Sequence, residues 1–288
     1  MTAAGTRSYL TGDRIVRPGK GGYLSAEPRI VGIALMRNED LHVEQVLRNA
    51  LGFCDVIHVA DHRSTDGTSA ILSKLAAEFP QLLVERIDHP RESNAMLFPY
   101  VGTPTWVFGI DGDEIYDPAG LAEFRAQLFA GKFDEWWVVF GNVLNCTEID
   151  LERRTATGYL APPCRSMTKL YNFRMLRELD ATASQRLHSH RGRDVFHAPY
   201  HALLRHDLYK EVAWEDARFR CLHTCFIPRS SFDESGVARE NVSESLRRRP
   251  RLERFARAVL GRRFASDYKH DKYMRGPRVT VDASPFFP

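Results

Sequence analysis

A chain of 288 residues, 43% hydrophobic and 27% charged, carries enough apolar material for a large core, which excludes global disorder. The 40 Lys and Arg against 37 Asp and Glu leave a net charge of +3, too balanced for a nucleic-acid binder. Five cysteines, at 54, 146, 164, 221 and 225, are odd in number and widely spaced, so no disulfide framework is expected and a reducing, cytoplasmic compartment is. The longest apolar run, 30–36, is too short to cross a bilayer, and the opening MTAAGTRSYLTGDR lacks the apolar stretch of a secretory signal.

Residues 1–28, rich in Gly and Pro, read as an extended arm. Residues 29–36 (RIVGIALM) predict a buried strand. Asn38 or Asp40 is placed to cap a following helix whose apolar positions are Leu41, Val43, Val46, Leu47, Ala50 and Leu51. A second strand is expected over 56–60, ending in the polar run DHRSTDGT, then a helix over 69–79 and a third strand over 81–87. A short helix is expected around 94–100 and a fourth strand over 106–110, running into Asp111-Gly112-Asp113-Glu114. A helix over 121–129 and a strand over 136–144 complete the regular part. Strands alternating with helices predict an α/β fold, with a mostly parallel, Rossmann-like sheet covered by helices. Ligands of such sheets sit beyond the carboxyl ends of the strands, where DHRSTDGT and DGDE lie. The pattern is weaker over 146–237, where strands are expected at 169–175 and 219–227, and 238–288 reads as a basic helical and extended tail.

Asp111 and Asp113, at i and i+2 of an extended strand exit, point to one side, and Gly112 keeps the backbone clear there. Two converging carboxylates suit Mg²⁺ or Mn²⁺, which would keep waters and bind phosphate oxygens; DGDE also suits a plain polar turn. Glu114 points the other way. Asp61, just past the second strand, either accepts a base N–H or a ribose hydroxyl, or only caps the next helix with Ser64 and Asp66.

Taken in order, VGIALMRNED, VADHRSTDGT and WVFGIDGDE resemble the N-terminal half of family-2-like glycosyltransferases with the GT-A fold. The resemblance spans about residues 29–145, the nucleotide-sugar-binding half; 146–237 would then be the acceptor side. It implies a UDP-, GDP- or dTDP-type nucleotide-sugar donor, Mn²⁺ or Mg²⁺, and inverting transfer to a saccharide, lipid-linked or small-molecule hydroxyl. By the same resemblance Asp61 contacts the nucleoside, Asp111 and Asp113 serve the ribose and the metal-bound diphosphate, and Asp113 is the direct metal ligand. Arg37, Asn38, Glu39, Arg91 and Asn94 line the donor site. Trp214-Glu215-Asp216 resembles the pair that supplies the catalytic base, with Asp216 first and Glu215 as alternate; simple pairing with Arg218 and Arg220 is the other reading. Ala60 stands where relatives usually carry a further aspartate.

A histidine after the acceptor region completes the metal site in some GT-A enzymes; here His223 is a metal ligand or a core histidine, with His270 as rival ligand. Cys221, His223 and Cys225 alternate along one strand face, which points three zinc donors in parallel rather than around a tetrahedron. His188, His190, His197, His201 and His206 are candidates for the acceptor side. Residues 247–263 hold eight arginines and one glutamate; they suit peripheral contact with an anionic membrane or a helix docked on its own domain. A nucleotidyltransferase on a similar sheet lacks its glycine-rich phosphate loop in MRNEDLHVEQ, and an inactive binding or scaffold protein of the same fold is the remaining alternative.

Overall fold

The structure, a computed structural model, describes residues 27–166, 168–180, 194–234 and 272–288. Strand β1 (Arg29–Met36) is buried along all but its first residue. It lies between two parallel neighbours, so its continuous apolar run covers both faces. Helix α1 (Val43–Leu51) follows, burying Val43, Val46, Leu47 and Ala50, whereas Leu41 stays 39% exposed ahead of it. Then come β2 (Val56–Asp61), α2 (Thr68–Glu78) and β3 (Leu82–Arg86). The helix expected at 94–100 is an eleven-residue 3₁₀ segment, Pro90–Tyr100. Pro90 starts it, Pro99 denies it a regular α ladder, and His89 and Glu92 close its entry as a reciprocal cap.

Strand β4 (Thr105–Ile110) is wholly buried, and β5 (Glu114–Tyr116) and α3 (Pro118–Phe129) follow it. The single strand expected at 136–144 is two, β6 (Val138–Phe140) and β7 (Asn142–Asp150). They join different sheets, and the break is Gly141, where a Cβ would fall on the Phe219 carbonyl. Next are β8 (Thr155–Ala161), β9 (Lys169–Asn172), β10 (Leu176–Glu178), β11 (Val195–Phe196) and β12 (Arg205–Asp207). Strand β13 (Arg220–His223), the short helix α4 (Ser231–Glu234) and β14 (Arg278–Asp282) complete the described elements. The strand expected over 219–227 stops at His223 because Thr224 turns its N–H onto the Asp113 carbonyl, at 2.8 Å.

The larger sheet has seven strands in the order β12-β6-β9-β4-β1-β2-β3. All pair in parallel except β9, which runs antiparallel to both β4 and β6. The second sheet has five, β14-β8-β7-β13-β5. The main core lies between these sheets and the helices, with Phe53, Phe108, Tyr116, Phe124 and Phe219 stacked or edge-to-face. This is the expected α/β, Rossmann-like and GT-A-like architecture: a mostly parallel sheet flanked by helices, followed by a less regular second half.

Candidate functional site

Parallel pairing sets the first requirement of the site. Met36 opposes Asp61 and Ala34 opposes Ile110, so β1, β2 and β4 end on one edge of the sheet. The reversed strand β9 begins where they end. Its first residue, Lys169, opposes Gly109 and is thereby delivered to the same edge.

Two loops on that edge are laced together by side chains. Asn38, at φ 54°, donates its N–H to Ser64 Oγ at 3.1 Å, and its Oδ1 accepts the Thr65 N–H at 2.8 Å. Glu39 N–H donates to Thr68 Oγ1 at 2.8 Å, and Asp40 Oδ2 accepts the Gly67 N–H at 3.1 Å. Asp61 accepts the Ser64 N–H at 3.0 Å and the Ser69 hydroxyl at 2.5 Å, so both its oxygens organise the loop that carries it. A third segment closes on the pair. Ser230 Oγ donates to Asp66 at 2.6 Å, Ser231 donates to Asp40 at 2.8 and 2.6 Å, and the Leu41 N–H reaches the Arg229 carbonyl at 3.1 Å.

Inside this clasp lies a group of buried charges. Arg229 donates to Asp113 Oδ2, and its guanidinium is 3.8 Å from Glu39 Oε1. His223 Nε2 is 3.5 Å from the same Asp113 oxygen. Lys169 Nζ, whose side chain is 4% exposed, is 3.1 Å from Asp111 Oδ2. Burial alone would raise the Asp113 carboxyl, but the charges of Arg229 and His223 outweigh it and hold the group well below the usual carboxylate range. Burial pulls the His223 imidazole down, yet its contacts with Cys225 and with the Asp113 carboxylate hold its proton well above the ordinary histidine range. Burial pushes Glu39 up against the opposing charge of Arg229. Glu114, fully buried, is pushed up to about 7, first by burial and then by Asp111. It accepts the Tyr116 hydroxyl at 2.5 Å on one oxygen, while Oε1 has no hydrogen-bond partner.

Gly112 separates the two aspartates for a packing reason. A Cβ there would lie 2.7 Å from Met36 Sδ and 2.8 Å from Glu39 Cγ. The space that glycine leaves is filled by the protein's own side chains.

The structure therefore brings together Asn38, Glu39, Asp61, Asp111, Asp113 and His223 from four separate stretches of the expected site, with Arg37 half-buried at the end of β1. Asn94 is 2% exposed in the 3₁₀ segment packed against β1 and β2, and Arg91 is exposed at its start. Glu215 and Asp216 are not brought to this edge. They are exposed in the turn before β13, whose Arg220 end is paired with Asp117 at 2.9 Å, whereas Asp113 and His223 lie at the other end. His206 stacks on Trp136 at 5.0 Å, away from the carboxylates, and His197 and His201 are exposed. His188, His190, His270 and the arginine-rich 247–263 lie outside the described residues. Cys221, His223 and Cys225 are all buried, but Cys225 falls beyond the end of β13. Sequence reasoning missed Lys169, Arg229 and Asn145. Lys169 was visible only as a charge opening an apolar strand, and Arg229 and Asn145 carried no local signal.

The donors at this edge suit a divalent ion. Asn145 Nδ2 donates to the Tyr159 carbonyl at 3.3 Å, which turns Oδ1 toward His223 Nδ1 at 2.9 Å. Nδ1 must then carry a proton, and Nε2, beside Asp113, is the nitrogen that can ligate once its own proton leaves. Asp113 and His223 thus fit two ligands of Mn²⁺ or Mg²⁺, with Asn145 fixing the ring behind them. Among the described residues, no three His, Cys, Asp or Glu side chains are gathered around one point, because Asp111 faces Lys169.

No protein-family model matches the chain, and no curated protein sequence does. Among solved structures it is similar to the mannosyltransferase PcManGT from Pyrobaculum calidifontis, in complex with GDP-Man and Mn²⁺. That likeness has a TM-score of 0.30 and 19% identity, and covers 43% of this chain and 37% of that one. Glucosyl-3-phosphoglycerate synthase from Mycobacterium tuberculosis, with Mn²⁺, UDP and glucosyl-3-phosphoglycerate, matches with a TM-score of 0.30 and 18% identity, over 39% of this chain and 43% of that one. A UDP-glucose pyrophosphorylase complexed with UDP-glucose matches at 0.26 and 8% identity, over 49% of this chain and 75% of that one. The match thus spans well under half the length of each of the first two relatives, and likeness of this extent specifies no activity. Among the described residues no helix is long and apolar enough to cross a membrane.

Proposed function

We propose that this protein is a metal-dependent, inverting glycosyltransferase that moves a sugar from a nucleotide-sugar donor to a hydroxyl-bearing acceptor. The observation that carries this reading is the meeting of Asp61, Asp111, Asp113 and His223 at one carboxyl edge, beside the buried cations Lys169 and Arg229. Asp61 faces the nucleoside, with Arg37, Asn38, Arg91 and Asn94 around the donor. Asp113 and His223 would hold Mn²⁺ or Mg²⁺, which would supply a Lewis acid for the negative charge of the departing diphosphate. Lys169 and Arg229 add positive charge where that negative charge gathers. The acceptor enters from the second half of the chain, and the arginine-rich 247–263 is its route to an anionic membrane surface if the acceptor is lipid-linked. The setting is cytoplasmic.

The test is thermal stability against UDP-, GDP-, dTDP- and CMP-linked sugars, each with Mn²⁺ and with EDTA. A ligand at 100 times its Kd stabilises by about 2.7 kcal/mol. One nucleotide family is expected to raise the transition only with metal, and Asp113→Asn to abolish the rise. A flat panel on folded protein, with no sugar transfer or donor hydrolysis, would overturn the reading.

A further inference from the structure

The C-terminal residues 272–288 touch both ends of β13, through Tyr273 and Phe286, and between them add β14 to the opposite edge of the second sheet. At the Arg220 end, the Phe286 ring is fully buried and stacks on Trp214 at 5.9 Å. The Phe286 carbonyl accepts from Asn49 Nδ2 at 2.8 Å, and the same nitrogen donates to the Tyr116 carbonyl of β5 at 2.7 Å. Midway, β14 pairs antiparallel with β8. Toward the His223 end, the Arg275 backbone meets Cys164 Sγ at 3.2 Å. Beyond it Tyr273, 7% exposed, sets its ring edge-to-face against the His223 imidazole, with centroids 5.4 Å apart and planes at 86°.

Polar partners at the two ring nitrogens leave the faces and edges of an imidazole to be fixed by packing. His223 has the Asn145 bond at Nδ1 and, opposite, the Asp113 carboxylate, which Arg229 shares, with Cys225 beside the ring. The Tyr273 ring supplies the third constraint, against the ring itself, and edge-to-face contact is the arrangement aromatic pairs favour. We propose that Tyr273 is a positioning residue: it locks the His223 ring so that Nε2 faces Asp113, making the C-terminal segment a working part of the metal site. The inference rests on the proposed function only for what the site holds; the orientation of the ring can be read without metal.

The first measurement is the long-range ¹H–¹⁵N spectrum of the His223 ring in metal-free protein, assigned through His223→Gln. Tyr273→Ala is expected to shift and broaden the Nδ1 and Nε2 signals, and Tyr273→Phe, which keeps the ring, to restore them. Phe286→Leu loosens the same segment at its far end; it should lower Tm and leave the His223 signals in place. The second measurement is Mn²⁺ affinity by calorimetry, expected to fall about 10-fold in Tyr273→Ala and less than 2-fold in Tyr273→Phe. Unchanged His223 signals in folded Tyr273→Ala, or equal shifts in Phe286→Leu, overturn the proposal. Wild-type protein that takes no Mn²⁺ overturns the metal reading instead, while the spectra still decide the role of Tyr273.

Discussion

Arg229 and Asp113 meet as a buried ion pair although 116 residues separate them, and Glu39 lies 3.8 Å from the same guanidinium nitrogen. One cation thereby serves carboxylates from the β1 and β4 exits. Removing one member of such a group leaves a charge buried without its counter-ion, at about 3–5 kcal/mol. Arg229→Met should therefore destabilise by roughly that amount, and Asp113→Asn by less, since Glu39 still faces Arg229. The double variant should lose well under the sum of the two single losses in urea unfolding, and strict additivity would show the pair uncoupled.

Glu114 makes stability depend on pH. Its carboxyl titrates at about 7 in the fold against 4.5 unperturbed, so between those values the folded chain keeps a proton that the unfolded chain has released. Stability then falls as pH rises through that window, by at most about 3 kcal/mol. Glu114→Gln preserves an acceptor for the Tyr116 hydroxyl and should flatten the decline. Glu39, raised in the same direction, keeps some slope in place. Denaturant midpoints at pH 5, 6, 7 and 8 for both proteins check this; parallel curves would contradict it.

Gly112 is required by the side chains that flank it. Gly112→Ala puts a methyl against Met36 and Glu39 and should cost about 1–3 kcal/mol. Since Glu39 belongs to the proposed site, metal-dependent donor binding should weaken with it. Calorimetric Tm and Mn²⁺ titration report the two effects separately.

Glu215 and Asp216, exposed at the Arg220 end of β13, should leave the donor site alone. Glu215→Gln and Asp216→Asn are expected to change stability by less than about 0.5 kcal/mol and to leave nucleotide-sugar binding as in wild type. Transfer activity decides their remaining role. A loss of turnover with donor binding intact would assign one of them as the acceptor-side base.

Much of the framework around β1, β2 and β4 was readable from the chain alone. An unbroken apolar run makes β1 a strand buried on both faces, and the 3.6-residue spacing of Val43, Val46, Leu47 and Ala50 makes α1 amphipathic. The polar stretches after β2 and β4 had to lie beyond the sheet, because parallel strands put their carboxyl ends on one edge. These features are local: each depends on which face a segment must bury. The cations could not be read this way. Lys169 reaches Asp111 only because β9 inserts in reverse between β4 and β6, and Arg229 reaches Asp113 only because the second sheet sets β13 beside β5. The same pairing sets Glu215 and Asp216 at the Arg220 end of β13, away from Asp113 and His223. Strand direction and partner are chosen by burial summed over the whole core, so contacts between residues 58 or 116 positions apart exist only once the two sheets have packed.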